Sequence, residues 1–314
     1  MILSLGQTAL ELALFNALTV LALFLSYSML NVCDLSTDGC FTLGAAVGAV
    51  VAIAGHPWLS MPAAMGAGML SGFVTATLQT RMGVNSLLAG IIVNTGLYSV
   101  NIWIMGGSSL LNMNKTATVF TMLKDVLKGT ALGTQYALII GLIAVTLVIV
   151  FLSLFLRTRL GLAIRATGNN PDMVRSSSIN PVFTTTVGLC ISNSFTALSG
   201  CLLAQSQKSV DVNIGSGMVT VALASLLIGG VFFGKHRGIS LRAVGAVLGA
   251  FLFRLVYALA LRVDMPAFML KAVSSVIVVL AISGPYLKKQ LPIMLKSMKA
   301  RRMDRALKGG ADGC

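Results

Sequence analysis

The residues of this chain that could do chemistry are few and far apart. Asn31, Asp34, Ser36, Asp38 and Gly39 stand together just before an apolar run at 41–55. An unpaired carboxylate in hydrocarbon is costly. The stretch therefore reads either as a loop whose acids stay solvated near the interface, or as a helix broken around a polar cavity on an ion or substrate path. Asn85, Asn94, Asn101 and Asn193 fall within or beside other apolar runs. An amide in such surroundings needs a partner and offers both donors and acceptors. Each of these asparagines either links two helices or, with Asp34 and Ser36, lines a translocation path.

No reactive centre assembles from the remaining candidates. His56 precedes Pro57 and Trp58 at the edge of an apolar run, where an aromatic interface anchor is the ordinary role. His236 belongs to a basic connector on the other side of the expected membrane. The serines alone do not make a Ser-His-Asp arrangement. Cys33, Cys40, Cys190, Cys201 and Cys314 lack metal-like clustering with histidine, so neither a zinc site nor a disulfide is assigned. Gly229-Gly230 and Gly234 lack the Gly-Lys-Ser/Thr turn of a phosphate loop. The expectation is no catalytic residue, no metal and no cofactor in this chain, with an enzyme ranked last.

The elements that must position the polar residues follow from composition. Hydrophobic residues make up 56% of the 314 and charged residues 10%, too apolar a mixture for a soluble domain. Charges are absent from 12–33, 39–80, 82–114, 129–156, 176–207 and 212–234. A helix needs about 20 apolar residues to cross hydrocarbon. Nine membrane segments are expected near 9–30, 41–55, 58–80, 84–105, 130–156, 181–203, 216–234, 243–261 and 265–285. The first reads as a retained span, since no basic region and small-residue cleavage site precede it. Long apolar runs punctuated by Gly and Pro favour helices over the ten-residue alternation of a membrane barrel. The fold class is all-α: a polytopic membrane helical bundle with broken or re-entrant helices, residues 1–287 forming the transmembrane domain. Gly44 and Gly48, Gly66, Gly68 and Gly72, and Gly245 and Gly249 recur at spacings that let helices approach closely.

Charge then orients the bundle. The loop 157–180 carries Arg157, Arg159, Arg165 and Arg175 against Asp172, and the tail from Lys288 to Lys308 holds eight basic residues and one acid. The formal net charge of +14 is thus a matter of membrane topology rather than of nucleic-acid binding. Both segments are expected in the cytoplasm, which puts the amino terminus outside and leaves Lys115, Lys124 and Lys128 in mild conflict. The tail 288–314 alternates basic and apolar residues, as a helix lying on anionic membrane lipid would. Arg254 interrupts an apolar stretch and is expected either to snorkel to the outer interface or to pair within the bundle.

The loop sequence Gly161-Leu-Ala-Ile-Arg165-Ala-Thr-Gly168-Asn-Asn170, followed by Arg175 and Ile179-Asn180, reads as a solvated connector or as a docking element with arginine donors. It resembles the cytoplasmic segment of bacterial ABC importer permeases of the ribose and branched-chain amino-acid type. Asp34-Leu-Ser36 with Gly39, Leu43-Gly44-Ala45, and Ala222 through Gly229-Gly230 with Gly234 match in the same order, so the resemblance covers most of the chain. It implies a permease subunit in the bacterial cytoplasmic membrane. Its partners would be two cytoplasmic ATP-binding subunits that hold ATP and Mg, a second permease copy or homologue, and an extracytoplasmic substrate-binding protein. It also implies that Arg165, Gly168, Asn170 and Arg175 contact the ATPase, and that Asp34-Leu-Ser36 belongs to a broken helix lining the path. Ser178 departs from the pattern where many relatives have Gly, and Met173 where Ala is common. The expected mechanism is alternating access for a small polar solute, an amino acid first, with purine nucleosides, thiamine-like molecules and sugars left open. A secondary transporter or channel without ATPase partners is the alternative.

Overall fold

The computed structural model describes residues 2–126, 135–233 and 238–262, with isolated positions between 272 and 283. The expected span at 265–285, the tail 288–314 and His236 lie outside the described residues. Elsewhere each expected apolar segment is helical. The helices are α1 (Ile2–Leu23), α2 (Thr37–Ile53), α3 (Ser60–Thr80), α4 (Ser86–Ile104), α5 (Val119–Val126), α6 (Tyr136–Phe155), α7 (Arg159–Asn169), α8 (Pro171–Ser176), α9 (Pro181–Gln207), α10 (Met218–Phe233) and α11 (Ile239–Arg262). Six of them are long and apolar enough to cross a membrane, whereas α2 and α10 fall short. At 1.5 Å per residue the 17 residues of α2 reach about 25 Å, less than the ~30 Å of a hydrocarbon core.

Helix α9 is the axis around which the others are placed. Ser192 Oγ donates to the Ala22 carbonyl (2.7 Å) and Ser199 Oγ to the Phe15 carbonyl (2.6 Å), so α1 runs antiparallel to it. Cys40 Sγ donates to the Asn193 carbonyl (3.3 Å) and Gly44 of α2 packs on the Ala197 backbone, which sets α2 parallel to α9. Gly200 of α9 lies on the Phe41 backbone at the same crossing. Gly68 and Gly72 bring α3 down the other side, against Asn193 and Leu189. Within α10 and α11, Gly229 meets Gly245 and Gly249 meets Ser225, an antiparallel pair. A side chain at any of these points would strike backbone, which is why the small residues recur at helical contact spacing. Apolar side chains fill the remaining space around α1, with Phe15, Phe24 and Phe41 fully buried.

Helix α1 does not end in an ordinary cap. It passes into a π turn at Phe24–Met29, where Leu30 N donates to Leu25 O (3.1 Å) and Val32 N to Ser26 O (3.0 Å). Such a turn accommodates one extra residue and often marks a functional hinge. Asn31 follows with φ of +57°, a left-handed conformation that Asn tolerates better than most residues. The chain then climbs back inside the bundle to begin α2 level with the middle of α9. The segment at 216–234, expected to span, instead starts α10 at that same level. The break before α2 was legible as a cluster of polar residues; the one before α10 was not, because Gly215, Ser216 and Gly217 carry no charge.

At the far end, β1 (Leu110–Asn112) pairs antiparallel with β2 (Ser209–Asp211), in register Leu111 to Val210. These three-residue strands were too short to show in the sequence pattern. They tie the exit of α4 to the exit of α9. The opposite end carries α7 and α8. Substituting Gly44 by Val should overpack the α2–α9 contact and cost roughly 1–3 kcal/mol or more. Thermal unfolding of the detergent-extracted protein would show this as a lowered midpoint, while the same change at the open position Gly66 should be nearly silent.

Candidate functional site

Asp34 sits at the centre of the bundle, 1% exposed, in the break between α1 and α2. Its Oδ1 accepts hydrogen bonds from Ser36 N (2.8 Å) and Ser36 Oγ (2.6 Å), while Oδ2 accepts from Asn193 Nδ2 (2.9 Å) in the middle of α9. Thr75 Oγ1 of α3 donates to Ser36 Oγ (3.2 Å). The carboxylate therefore faces the amino-terminal turn of α2, where partial positive charge gathers. Asp34, Ser36 and Asn193, picked out separately in the sequence, meet in one cluster.

Asp38 repeats the arrangement one turn further on. It lies in the first turn of α2, yet its Oδ2 accepts from Gly217 N (2.9 Å) and its Oδ1 from Val219 N (2.8 Å), at the start of α10. Gly215 N also donates to Thr42 Oγ1 (3.2 Å). Two short helices thus begin inside the bundle and point their amino-terminal ends at two carboxylates. Sequence reasoning noted Asp38 but gave it no role, since its partners lie some 180 residues away and include no distinctive side chain. Thr75 gives no signal in the sequence, being a lone hydroxyl within an apolar helix.

The other asparagines divide. Asn101 Nδ2 donates to the Gly39 carbonyl (3.2 Å), and a Cβ at Gly39 would lie 2.7 Å from Asn94 Oδ1, so both α4 amides flank the start of α2. Buried Asn101 Oδ1, Asn193 Oδ1 and Ser71 Oγ have no hydrogen-bond partner in the structure, an unusual cost inside a bundle. Asn85 stands apart: it is exposed and caps α4 by accepting from Leu87 N (3.0 Å), which accounts for its conformation without a cavity. Among the described residues no cluster of His, Cys, Asp or Glu is suited to a metal ion.

The basic loop folds into two helices, α7 and α8, where the sequence shows an interrupted charged segment. Thr158, Asn170 and Asn180 cap α7, α8 and α9 in turn through Gly161 N, Asp172 N and Val182 N. Proline follows the cap at the first position of both α8 and α9, where its missing N–H costs nothing. Thr167 and Thr184 share a hydrogen bond (2.8 Å) that ties α7 to α9. Gly168 packs against the Met29 carbonyl and Leu30, at the end of the π turn. Arg165 is half-buried and close enough to Arg242 of α11 for the two charges to repel. Arg175 is exposed beside Asp172 (4.0 Å), and Leu162, Met173 and Ile179 are exposed nearby. Ser178 takes φ of +60°, the conformation glycine adopts freely, so its departure from the familiar pattern keeps the loop shape at a price in strain.

Residues 8–282 match the family model described as the permease component of branched-chain amino-acid transport systems. The chain belongs to this family of ABC importer permeases. The permease is 30% identical over 268 residues to a tyrosine transport system permease protein of Clostridioides difficile, covering 85% of this chain and 86% of that one. It is 28% identical over 192 residues to a galactose/methyl galactoside import permease protein of Escherichia coli, covering 60% and 54%. It is 27% identical over 237 residues to a fructose import permease protein of Bifidobacterium longum, covering 71% and 65%. No solved structure matches it. The permease is a multi-pass protein of the cytoplasmic membrane, and the relatives it matches are permease subunits of transport systems.

The Asp34–Asn193 contact should be measurable as a coupling. In a double-mutant cycle of Asp34→Asn and Asn193→Ala, thermal unfolding of the purified permease is expected to give an interaction energy of about 1–3 kcal/mol. Additive effects would count against the contact. Ser178→Gly should raise stability by up to ~1 kcal/mol through relief of the left-handed strain, read in the same assay.

Proposed function

We propose that this chain is the membrane subunit of an ATP-driven importer that moves an amino acid inward by alternating access. The observation that carries the coupling half of this reading is the contact of Gly168 with Met29 and Leu30. A displacement of α7 presses directly on the end of the π turn, four to five residues before Asp34. Closure of ATP-binding subunits against α7 and α8 would therefore bias the very segment that holds the central carboxylate.

Two cytoplasmic ATP-binding subunits, which hold ATP and Mg, fit the α7–α8 end, where Arg165 and Arg175 offer charge and Leu162, Met173 and Ile179 offer apolar contact. Gly168 and Asn170 shape that surface rather than contribute charge: one lets α7 approach α1, the other caps α8. A second permease copy or homologue would complete the translocation path lined by Asp34, Ser36, Asn94, Asn101 and Asn193. An extracytoplasmic substrate-binding protein would dock at the β1–β2 end. Amino-acid transport is favoured over sugar transport because the tyrosine permease matches along most of both chains, whereas the galactose permease is covered over only about half its length. Secondary transport would use the same broken helices but gives no reason for α7 to be packed on the π turn.

The test is to capture the permease from its native membrane after gentle extraction and identify what remains bound. Stoichiometric recovery of an ATP-binding subunit is expected; its absence from an otherwise intact complex would move the reading to secondary transport. In the reconstituted importer, Arg165→Glu should lower transport-coupled ATP hydrolysis by at least about tenfold, the effect of exchanging a charge-assisted hydrogen bond of ~1.5 kcal/mol for repulsion. The isolated subunit should keep its stability.

A further inference from the structure

Arg254 lies outside the central cluster and has no part in the coupling just described. We infer that it binds the carboxylate of the transported solute, an inference that rests on the amino-acid reading above.

Its position argues first. On α11 the exposed residues Leu241, Val244, Leu248, Leu255, Val256 and Leu259 form one broad stripe, the face toward lipid. Arg254 lies on the opposite side, with buried Ala243, Ala246, Ala250 and Phe253. It points into the bundle rather than snorkelling along the outside. There the Asn16 amide oxygen, in the orientation that satisfies both groups, accepts from Arg254 Nε (2.7 Å) and from one Nη. The guanidinium also lies 5.3 Å from the Tyr257 ring centroid.

Its electrostatics argue second. A guanidinium has five N–H donors, and Asn16 takes two. Among the described residues no carboxylate forms an ion pair with Arg254, whose partners there are a neutral amide and an aromatic face. An uncompensated charge in such a place is expensive and marks a functional position. The residue as a whole is not fully buried. Arginine's planar fork matches an anionic oxoacid group with two oxygens.

Its depth argues third. Asn16 adjoins Phe15, whose carbonyl receives the Ser199 hydroxyl. Ser199 is six residues beyond Asn193 on α9, roughly 9 Å nearer the β1–β2 end. A solute entering at that end would reach Arg254 before it reached Asp34 and Asn193. The guanidinium, aimed by Asn16, would receive the carboxylate while the rest of the molecule lay toward the centre. A lipid phosphate shares the oxoacid chemistry, but the lipid-facing stripe is on the other side of α11.

The experiment uses the complete importer in proteoliposomes, with labelled tyrosine as the probe and tyrosinamide and galactose as comparisons. The expected result is uptake of tyrosine by the wild type with discrimination against tyrosinamide. Arg254→Gln should raise KM for tyrosine about a hundredfold with little change in kcat, and should abolish the discrimination. Arg254→Lys, which keeps charge but loses the fork, should fall between; Asn16→Ala serves if Arg254→Gln does not assemble, with a smaller rise in KM expected. Tyrosine uptake with KM and selectivity unchanged in these variants would overturn the inference and leave the amino-acid reading standing. Wild-type uptake of galactose but not tyrosine would overturn that reading, and the carboxylate site with it. If Arg254→Gln lowers thermal stability only in phosphatidylglycerol-containing vesicles while KM stays the same, the arginine binds lipid and the inference fails.

Discussion

A carboxylate in the middle of an apolar bundle has to be met by donors, and the fold around Asp34 is built on meeting that demand. Its oxygens take Ser36 N, Ser36 Oγ and Asn193 Nδ2, one set supplied by the start of α2 and the other by the axis helix. A continuous helix could not supply backbone amides at that depth, because its interior N–H groups are already committed. Breaking the chain between α1 and α2 exposes a helix start where the charge lies. Asp38 makes the same demand and is answered by the start of α10. Two incomplete helices and their irregular approaches are therefore the physical counterpart of two buried acids.

Close backbone contact makes the complementary half of the structure. Around α9, helices α2 and α3 approach through glycines with no side chain between, leaving little room for them to repack. The loop end is joined differently. Helix α7 touches the bundle through Gly168, the fully buried Ile164, the Thr167–Thr184 pair and the neighbourhood of Arg242, a footing that mixes apolar and polar contact.

The sequence revealed this architecture unevenly. Apolarity marks which residues live in the membrane, so the long described helices fall on the expected apolar segments, while α5, α7 and α8 lie in charged stretches between them. It does not mark where a chain turns back at half depth, which is why α10 read as a span. The break before α2 was visible because Asp34, Ser36 and Asp38 are unusual company for an apolar run. What Asp38 binds was invisible, since backbone amides at Gly217 and Val219 leave no trace in residue type. Asn85 shows the opposite failing: an asparagine that fits a polar cavity by composition spends its side chain on a helix cap. Arg254 was legible as an anomaly, and only three-dimensional placement beside Asn16 could decide between the membrane surface and the interior.

The π turn at Phe24–Met29 sets the phase of everything that follows it. A π turn takes up one residue more than an α turn, so the chain beyond it stays in line although the chain within it is longer. Wound as α with the same residues, this stretch would carry Asn31 through Ser36 about 100° further around the axis, and Asp34 would no longer face Asn193. The aim of the central carboxylate thus rests on the winding of six residues that supply none of its donors.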